Sequence, residues 1–297
     1  MTVIDTAWHP LVDGTPPGWA SGWGQHRRFG PFIEFTLDGV TQRMRWIRPG
    51  RFLMGSPEDE PGRFDNEGPQ HQVTISQGFW LADTPCTQAL WLAVMGSNPS
   101  RFQSPDRPVE NVSWTEVQDF LDRVNQRIPG LVLALPTEAQ WEYACRAGTE
   151  TALYTGPIEI LGENNAPALD AIAWYGGNSG VEFDLDPSQG ENSEAWPEKQ
   201  YPHQYAGTRS VAGKRPNPWG LYDMLGNVWE WCQDGFRIYR TEPEVDPVGP
   251  LDAGAIRVVR GGSWSYSARR ARSAYRLAFP PEDRSSLLGF RCARGLA

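Results

Sequence analysis

Cysteine and histidine would carry the most specific chemistry in this chain, and neither is arranged as a site. The four cysteines are scattered without the C-x-x-C spacing of a zinc ribbon: Cys86, Cys145, Cys232 and Cys292. The four histidines are equally isolated: His9, His26, His71 and His203. No Gly-x-Ser-x-Gly elbow is present, which argues against a serine hydrolase. The acidic run Glu58-Asp59-Glu60 is most simply interpreted as a solvated loop.

Composition narrows the class of protein. The 297 residues include 14 Trp, 12 Phe and 9 Tyr, which do not suit a disordered chain. High glycine and proline counts (31 and 26) predict many turns and argue against a helical bundle. The net charge of −9 disfavours nucleic acid and anionic membranes as partners. The N-terminus lacks the features of a signal peptide, and no apolar run of about 18 residues occurs, so we expect a cytoplasmic protein.

Local signals predict a few regular elements. Asp38-Gly39 between two alternating runs predicts a β-hairpin. Capping boxes at Ser113–Glu116 and Thr137–Gln140 predict the starts of two helices. The LVLAL segment between them predicts a short buried strand. Residues 1–29 are predicted to be an irregular arm, residues 30–297 to form one domain, and residues 148–215 to be a long irregular region of that domain.

Eight sequence motifs in a fixed order point to a known family. They are MRWIRPGRFLMGS, GPQHQVTIS-GFWLADTPCTQALW, NPSRF, RPVENVSW, LPTEAQWEYACRAGT, NPWGLYDMLGNVWEWCQD, RGGSW and LGFRCAR. From about residue 43 to 294 the chain resembles the formylglycine-generating enzyme (sulfatase-modifying factor) superfamily. The resemblance implies an α+β domain with a variant of the C-type lectin fold: a small twisted sheet, about two helices and much irregular structure.

The resemblance also raises the question of catalysis. Enzymes of this family oxidise a sulfatase cysteine at a copper(I) ion held by two cysteines in C-x4-C spacing after the RGGS-aromatic motif, and soft thiolates suit that ion. Here Tyr266 and Ala271 stand at those two positions, and the four cysteines lie elsewhere. We therefore expect no copper and lean towards a protein that is not an enzyme.

Two further features follow from the resemblance. Cys145 and Cys292 match a pair that the family joins in a disulfide, so we expect them within bonding reach, either joined or as neighbouring thiols. Family members also hold calcium, a hard cation that takes oxygen ligands, in the segment that here begins at Asp223. The predicted ligands are the Asp223 carboxylate and the carbonyls of Met224, Gly226 and Val228. The alternative is that this segment is only a turn into a buried aromatic strand.

The C-terminal segment resembles, more narrowly, the variable region of ligand-binding proteins diversified by retroelements. Scaffold residues there alternate with positions that vary on one face. The candidate ligand-binding positions are Ser265, Tyr266, Ser267, Arg270, Tyr275, Leu277, Phe279, Pro280, Asp283, Ser285, Ser286 and Leu287. Core packing is the alternative for Tyr275, Leu277 and Phe279. The first seven are predicted to be largely exposed, and Trp264, Arg272, Ala274, Arg276 and Phe290 to be buried.

These observations favour a non-catalytic protein that recognises a protein or other macromolecular ligand through its C-terminal face. The alternative is a sulfatase-maturation enzyme or related oxidase with a rearranged active site. A third hypothesis is a structural module once fused to an effector domain through residues 1–29. The missing cysteine pair separates the first hypothesis from the second.

Overall fold

The computed structural model describes residue 11 and residues 15–295. Three α-helices occur in that part of the chain: α1 (Gln88–Met95), α2 (Trp114–Arg127) and α3 (Glu138–Arg146). The strands are β1 (Gly22–His26), β2 (Gly30–Leu37), β3 (Val40–Ile47), β4 (Gly50–Met54), β5 (His71–Ile75), β6 (Phe79–Ala82), β7 (Ala173–Trp174), β8 (Glu191–Asn192), β9 (Tyr205–Ala206), β10 (Leu225–Gly226), β11 (Trp229–Gly235), β12 (Glu244–Val245), β13 (Arg257–Arg260), β14 (Arg276–Phe279), β15 (Leu288–Gly289) and β16 (Ala293–Arg294).

The strands form several small sheets rather than one large one. A five-stranded sheet has the order β1-β2-β3-β6-β16, so the last strand closes onto an early one. A four-stranded sheet has the order β14-β13-β11-β15, and β12-β5-β4 form a third. Two short pairs complete the set: β7 with β10, and β8 with β9. The C-terminal segment thus contributes to the two largest sheets.

The N-terminal hairpin forms where the sequence predicts it. Leu37 pairs with Val40 across Asp38 and Gly39, which both have positive φ, at 47° and 81°. The predicted boundary at residue 29 is wrong, because β1 already pairs with β2. Its exposed and half-buried residues alternate as in an edge strand, a pattern hidden by its two glycines. Residues 1–10 and 12–14 of the predicted arm lie outside the described residues.

Both predicted helix starts are confirmed. Ser113 and Thr137 are the N-caps of α2 and α3, each in a reciprocal capping box. The helix α1 was not predicted, because its N-cap Thr87 has no glutamate or glutamine three residues later. The predicted strand at residues 131–135 is wrong, since only Ala134 forms a bridge, to Ala293. Val132 has a φ of 51°, which breaks the extended conformation there.

The predicted α+β class is confirmed, and residues 148–215 contain only short strands and single 3₁₀ turns. The core is divided into two large hydrophobic clusters, one around Trp141 and one around Trp229 and Trp231. Seven of the largest fully buried side chains are arginines. Among the described residues, no helix is both long enough and apolar enough to span a membrane.

Candidate recognition face and its scaffold

Buried arginines hold the C-terminal segment to the rest of the domain. Arg272 lies between Glu60 and Glu67, with oxygen contacts of 2.5 Å to each. Arg276 on β14 makes a two-pronged pair with Glu138 of α3, at 2.7 and 2.6 Å. The interpretation of Glu60 as part of a solvated loop is therefore wrong, because Arg272 draws its carboxylate inward.

A second group of pairs lies between α3 and the four-stranded sheet. Glu142 contacts Arg146 one turn along α3 and also contacts Arg260 of β13. Burial opposes ionisation of Glu142, but the two guanidinium groups outweigh it and lower its pKa. Arg291 makes a two-pronged pair with Glu230, with both contacts at 2.7 Å. Each of these buried charges has a partner of opposite sign, so removing one partner would leave an uncompensated buried charge.

The predicted buried set is confirmed. Trp264 is 2% exposed, and Arg272, Ala274, Arg276 and Phe290 are fully buried. Trp264 also donates from Nε1 to the carbonyl of Ser286 at 2.9 Å. These residues form the fixed part of the segment.

The predicted exposure of Tyr275 is wrong. Its side chain is 4% exposed and packs between Phe64 and Trp229, with ring centroids 4.8 and 5.6 Å away. The core-packing alternative therefore holds at this position. Leu277 and Phe279 are half-buried on β14 and pack against the same cluster. They are less exposed than predicted, since one side of each contacts the core.

Four of the predicted residues meet at one depression. Ser265, Tyr266, Ser267 and Arg270 are all half-buried and line a cavity of about 260 Å³, which we call the polar cavity. Its opposite wall comes from residues 163–164 and 196–197. The Arg270 guanidinium lies 4.6 Å from the Tyr266 ring centroid, and Tyr266 packs edge-on against Trp229 at 5.3 Å. An aromatic base of this kind fixes the position of a cation while leaving its N–H groups free.

A second depression adjoins the first. It has a volume of about 550 Å³ and is lined by Pro61, Gly62, Ile158, Glu159, Ile160, Glu163, Ser267 and Arg269, and we call it the apolar cavity. Glu163 and Ser267 line both cavities. The wall formed by residues 158–164 and 196–197 was not predicted from the sequence. The sequence signal for this wall was the length of the irregular region together with its Trp196, which indicated a segment that packs against the domain.

The remaining predicted positions do not line these cavities. Pro280 and Asp283 are exposed, in the connection after β14. Ser285, Ser286 and Leu287 are half-buried just before β15, where Leu287 packs near Trp264. We call the predicted positions other than Tyr275 the recognition face: Ser265, Tyr266, Ser267, Arg270, Leu277, Phe279, Pro280, Asp283, Ser285, Ser286 and Leu287.

The structure has no thiol at the two positions expected for copper ligands. Ala271 is 1% exposed and Tyr266 is half-buried. The four cysteines are free and buried, and burial raises the pKa of Cys145 and of Cys292 to about 12. The disulfide implied between these two is not formed. Cys145 faces the hydroxyl of Ser273 at 3.6 Å, whereas Cys292 packs in the other hydrophobic cluster together with Cys86.

The Asp223 loop is a closed turn. Asp223 is 3% exposed with φ at 52°, and its carboxylate accepts from the Ala212 N–H at 2.7 Å and from Asn227 Nδ2 at 3.4 Å. Gly226 is required there, because a Cβ would lie 2.2 Å from the Trp174 carbonyl oxygen. Burial raises the pKa of Asp223 to about 6.

The Asp223 carboxylate, the predicted side-chain ligand of calcium, is already hydrogen-bonded within the loop. Both of its oxygens already accept from N–H groups, and the described residues contain no cluster of three acidic, histidine or cysteine side chains suited to a metal. The carboxylate thus fits the turn better than it fits a cation, and calcium binding here stays a prediction.

Comparison with known proteins accounts for this architecture. The family model described as a sulfatase-modifying factor enzyme 1-like domain matches residues 36–296. The chain belongs to the sulfatase-modifying factor family. Formylglycine-generating enzyme from Streptomyces coelicolor is 35% identical over 251 residues, which are 78% of this chain and 69% of that protein. Its counterpart from Bos taurus is 32% identical over 229 residues, 75% of this chain, so the chain spans about half (52%) of the bovine protein.

Among solved structures, Treponema denticola variable protein 1 is similar over almost its full length. The TM-score is 0.69 with 29% sequence identity, covering 89% of this chain and 99% of that protein. The predicted C-type lectin-like form of the α+β fold is thereby supported. This sulfatase-modifying factor domain therefore combines a family scaffold with a segment that lacks the two thiols.

Proposed function

We propose that this protein is a non-catalytic recognition protein, which binds a protein or other macromolecular ligand through the recognition face. The observation that carries the proposal is the pair of residues Tyr266 and Ala271, at the positions where catalytic relatives would need thiolates. A phenol and a methyl group cannot hold copper(I). The structural similarity to Treponema denticola variable protein 1 adds support.

The composition of the face also supports binding. Tyr266, Leu277 and Phe279 offer aromatic and apolar area, while serines and Arg270 offer adaptable polar contacts, a mixture typical of paratopes. The ligand is proposed to be a macromolecule other than nucleic acid, since the chain carries a net charge of −9.

Copper(I) titration tests the non-catalytic part of the proposal. We expect no stoichiometric copper(I) binding by the purified, reduced protein, with a catalytic relative as the positive control. Binding of one copper ion per chain that disappears in Tyr266→Phe or Ala271→Val would contradict the proposal. Conversion of a cysteine peptide to formylglycine by the same preparation would contradict it as well.

The enzyme hypothesis retains one specific support, the 35% identity to a formylglycine-generating enzyme. The two hypotheses differ in their genetic surroundings. A neighbouring reverse transcriptase and a near-copy of the codons for residues 264–290 would favour a diversified binding protein. A neighbouring sulfatase would favour the enzyme.

A further inference from the structure

The arginines between residues 260 and 291 fall into two groups. Five have carboxylate partners: Arg260, Arg272, Arg276, Arg284 and Arg291. Arg269 and Arg270 have none within ion-pair distance among the described residues, although all the others in the segment do. Two adjacent arginines without an ion-pair partner among the described residues are unexpected in a protein of net charge −9. Arg270 lines the polar cavity and Arg269 lines the apolar cavity.

Arg270 is free to bind a carboxylate. Its guanidinium lies against the Tyr266 ring at 4.6 Å, and the Tyr275 ring is 5.9 Å away. No hydrogen bond ties the guanidinium to another described residue. Arg270 lines the polar cavity, and the paired N–H groups of a guanidinium match the two oxygens of a carboxylate. The hydroxyls of Ser265 and Ser267 add donors beside it.

The apolar cavity next to it has a fixed wall. Arg269 donates to the carbonyls of Gly62 and Arg63, both at 3.2 Å, and its guanidinium lies 3.8 Å from the Phe64 ring centroid. Arg269 is thus held in place by these contacts. Ile158 is 4% exposed at the base of the cavity, and Ile160 is half-buried beside it. This volume suits a large apolar side chain.

The two cavities are joined through Glu163 and Ser267, which line both. A ligand that fills both must therefore present its two groups close together. Glu163 is exposed at this junction. Its negative charge would repel a second acidic group at the junction.

We propose that the recognition face binds an exposed protein segment carrying an acidic side chain beside a large apolar side chain. The carboxylate binds Arg270 in the polar cavity, and the apolar side chain fills the apolar cavity against Ile158 and Ile160. This inference rests on the proposed function and names the chemistry of the partner. The unpaired charge at Arg270 is what distinguishes an acidic segment from a basic or neutral one.

Selection from a random cyclic-peptide phage library tests the proposal, with the full-length protein as the target. We expect enriched peptides to contain Asp or Glu within three positions of Leu, Ile, Phe or Met. Selection on Arg270→Glu should replace the acidic residue with Lys or Arg. Enriched peptides without an acidic residue, or the same acidic peptides on both targets, would overturn the inference while leaving the recognition function standing.

Fluorescence anisotropy with one enriched peptide gives the quantitative arm. Arg270→Ser and Ile160→Ser should each weaken binding by roughly 10-fold or more, whereas Arg27→Ser, at an exposed arginine outside the face, should leave it unchanged. Thermal melts confirm that each variant is folded. If no peptide is enriched, or if peptides bind equally to variants across the whole recognition face, the proposed function itself fails.

Discussion

At the scale of single residues, Tyr275 shows how one side chain separates scaffold from surface. It lies between two scaffold arginines, Arg272 and Arg276, and its ring is enclosed by Phe64 and Trp229. Tyr266 touches the same Trp229 but keeps one side open to the polar cavity. The two tyrosines therefore have different roles: Tyr275 belongs to the core, and Tyr266 lines the polar cavity.

Alanine substitution should make this difference measurable. We expect Tyr275→Ala to lower the free energy of unfolding by about 3–5 kcal/mol, similar to Trp264→Ala, because both empty a packed aromatic site. Tyr266→Ala should lower the free energy of unfolding much less, and Ser265→Ala should change it by about 0.5 kcal/mol or less. Urea unfolding followed by tryptophan fluorescence measures all four. An equal loss for Tyr266 and Tyr275 would place Tyr266 in the core and remove it from the recognition face.

Glu110 is a second residue whose environment predicts a measurable effect. It is fully buried, one oxygen accepts from the Phe102 N–H at 2.9 Å, and the other has no hydrogen-bond partner among the described residues. Burial raises its pKa from 4.5 to about 7. Between these two values the folded state holds a proton that the unfolded state has released.

The sign of the pH dependence follows from that proton. Glu110 contributes stability that is fully present below pH 4.5 and is lost as the pH rises towards 7. Within this window the contribution falls by at most about 1.4 kcal/mol per pH unit. Glu110→Gln cannot titrate, so the stability difference between wild type and variant should change across pH 4.5–7 in urea unfolding. A difference that is constant with pH would show that Glu110 has an ordinary pKa.

At the scale of elements, α3 organises the scaffold. Glu138 and Glu142 stand one turn apart on it and meet Arg276 of β14 and Arg260 of β13. The Asp234 carboxylate accepts from the Glu138 N–H at 2.7 Å, which anchors the first turn to β11. Two carboxylates of the helix therefore hold β13 and β14, and a backbone N–H of the helix holds β11.

The loop at Asp223 can be tested for the role of its carboxylate. Asp223→Ala removes the acceptor for Ala212 and Asn227 and should lower the free energy of unfolding by about 1–3 kcal/mol. If calcium binds, chelator should also lower the melting temperature of wild type but not of the variant. An equal melting temperature of wild type with calcium and with chelator would contradict calcium binding. Asp252→Ala, at an exposed loop position, is the control.

Local signals account for the elements that sequence analysis found. The Asp38-Gly39 turn and the capping boxes of α2 and α3 depend on residues within four positions of each other, so they were predictable. The strand β1 was not predicted because its two glycines interrupt the alternating pattern of a strand, and it is held by pairing with β2. The burial of Tyr275 was missed because Phe64 lies 211 residues earlier in the chain.

The cavities were the least predictable part of the site. One wall, Ser265–Arg270, belongs to a recognisable segment, and the other comes from an irregular region with no periodic pattern. Their juxtaposition rests on single backbone contacts, such as the Ala268 N–H donating to the Glu163 carbonyl at 2.9 Å. Sequence spacing contains no information about such contacts between distant loops.

At the scale of the whole molecule, the strand β16 completes the five-stranded sheet. β16 pairs with β6, and the Ala82 N–H donates to the Cys292 carbonyl at 2.9 Å. A chain that ends at Phe290 loses this pairing and the Arg291–Glu230 pair, so Glu230 becomes an uncompensated buried charge. We expect this truncation to abolish cooperative thermal unfolding measured by near-ultraviolet circular dichroism.

A point variant controls for the loss of charge near the terminus. Arg294→Ala removes hydrogen bonds to the carbonyls of Gly130 and Gly295 and a contact with the Trp19 ring, but no ion pair among the described residues, and should melt cooperatively near the wild-type temperature. A cooperative transition in the truncated chain would contradict this expectation and show that the domain folds without β16.

The buried ion pairs have a practical consequence for laboratory use of the fold. Because the framework depends on guanidinium–carboxylate pairs and the cysteines remain free, production should not require an oxidising compartment. Codons at Ser265, Tyr266, Ser267 and Arg270 could be randomised together, since within the described part of the chain these side chains make none of the ion pairs that hold the framework. The domain would then serve as a starting point for combinatorial libraries of affinity reagents that work inside bacterial cells.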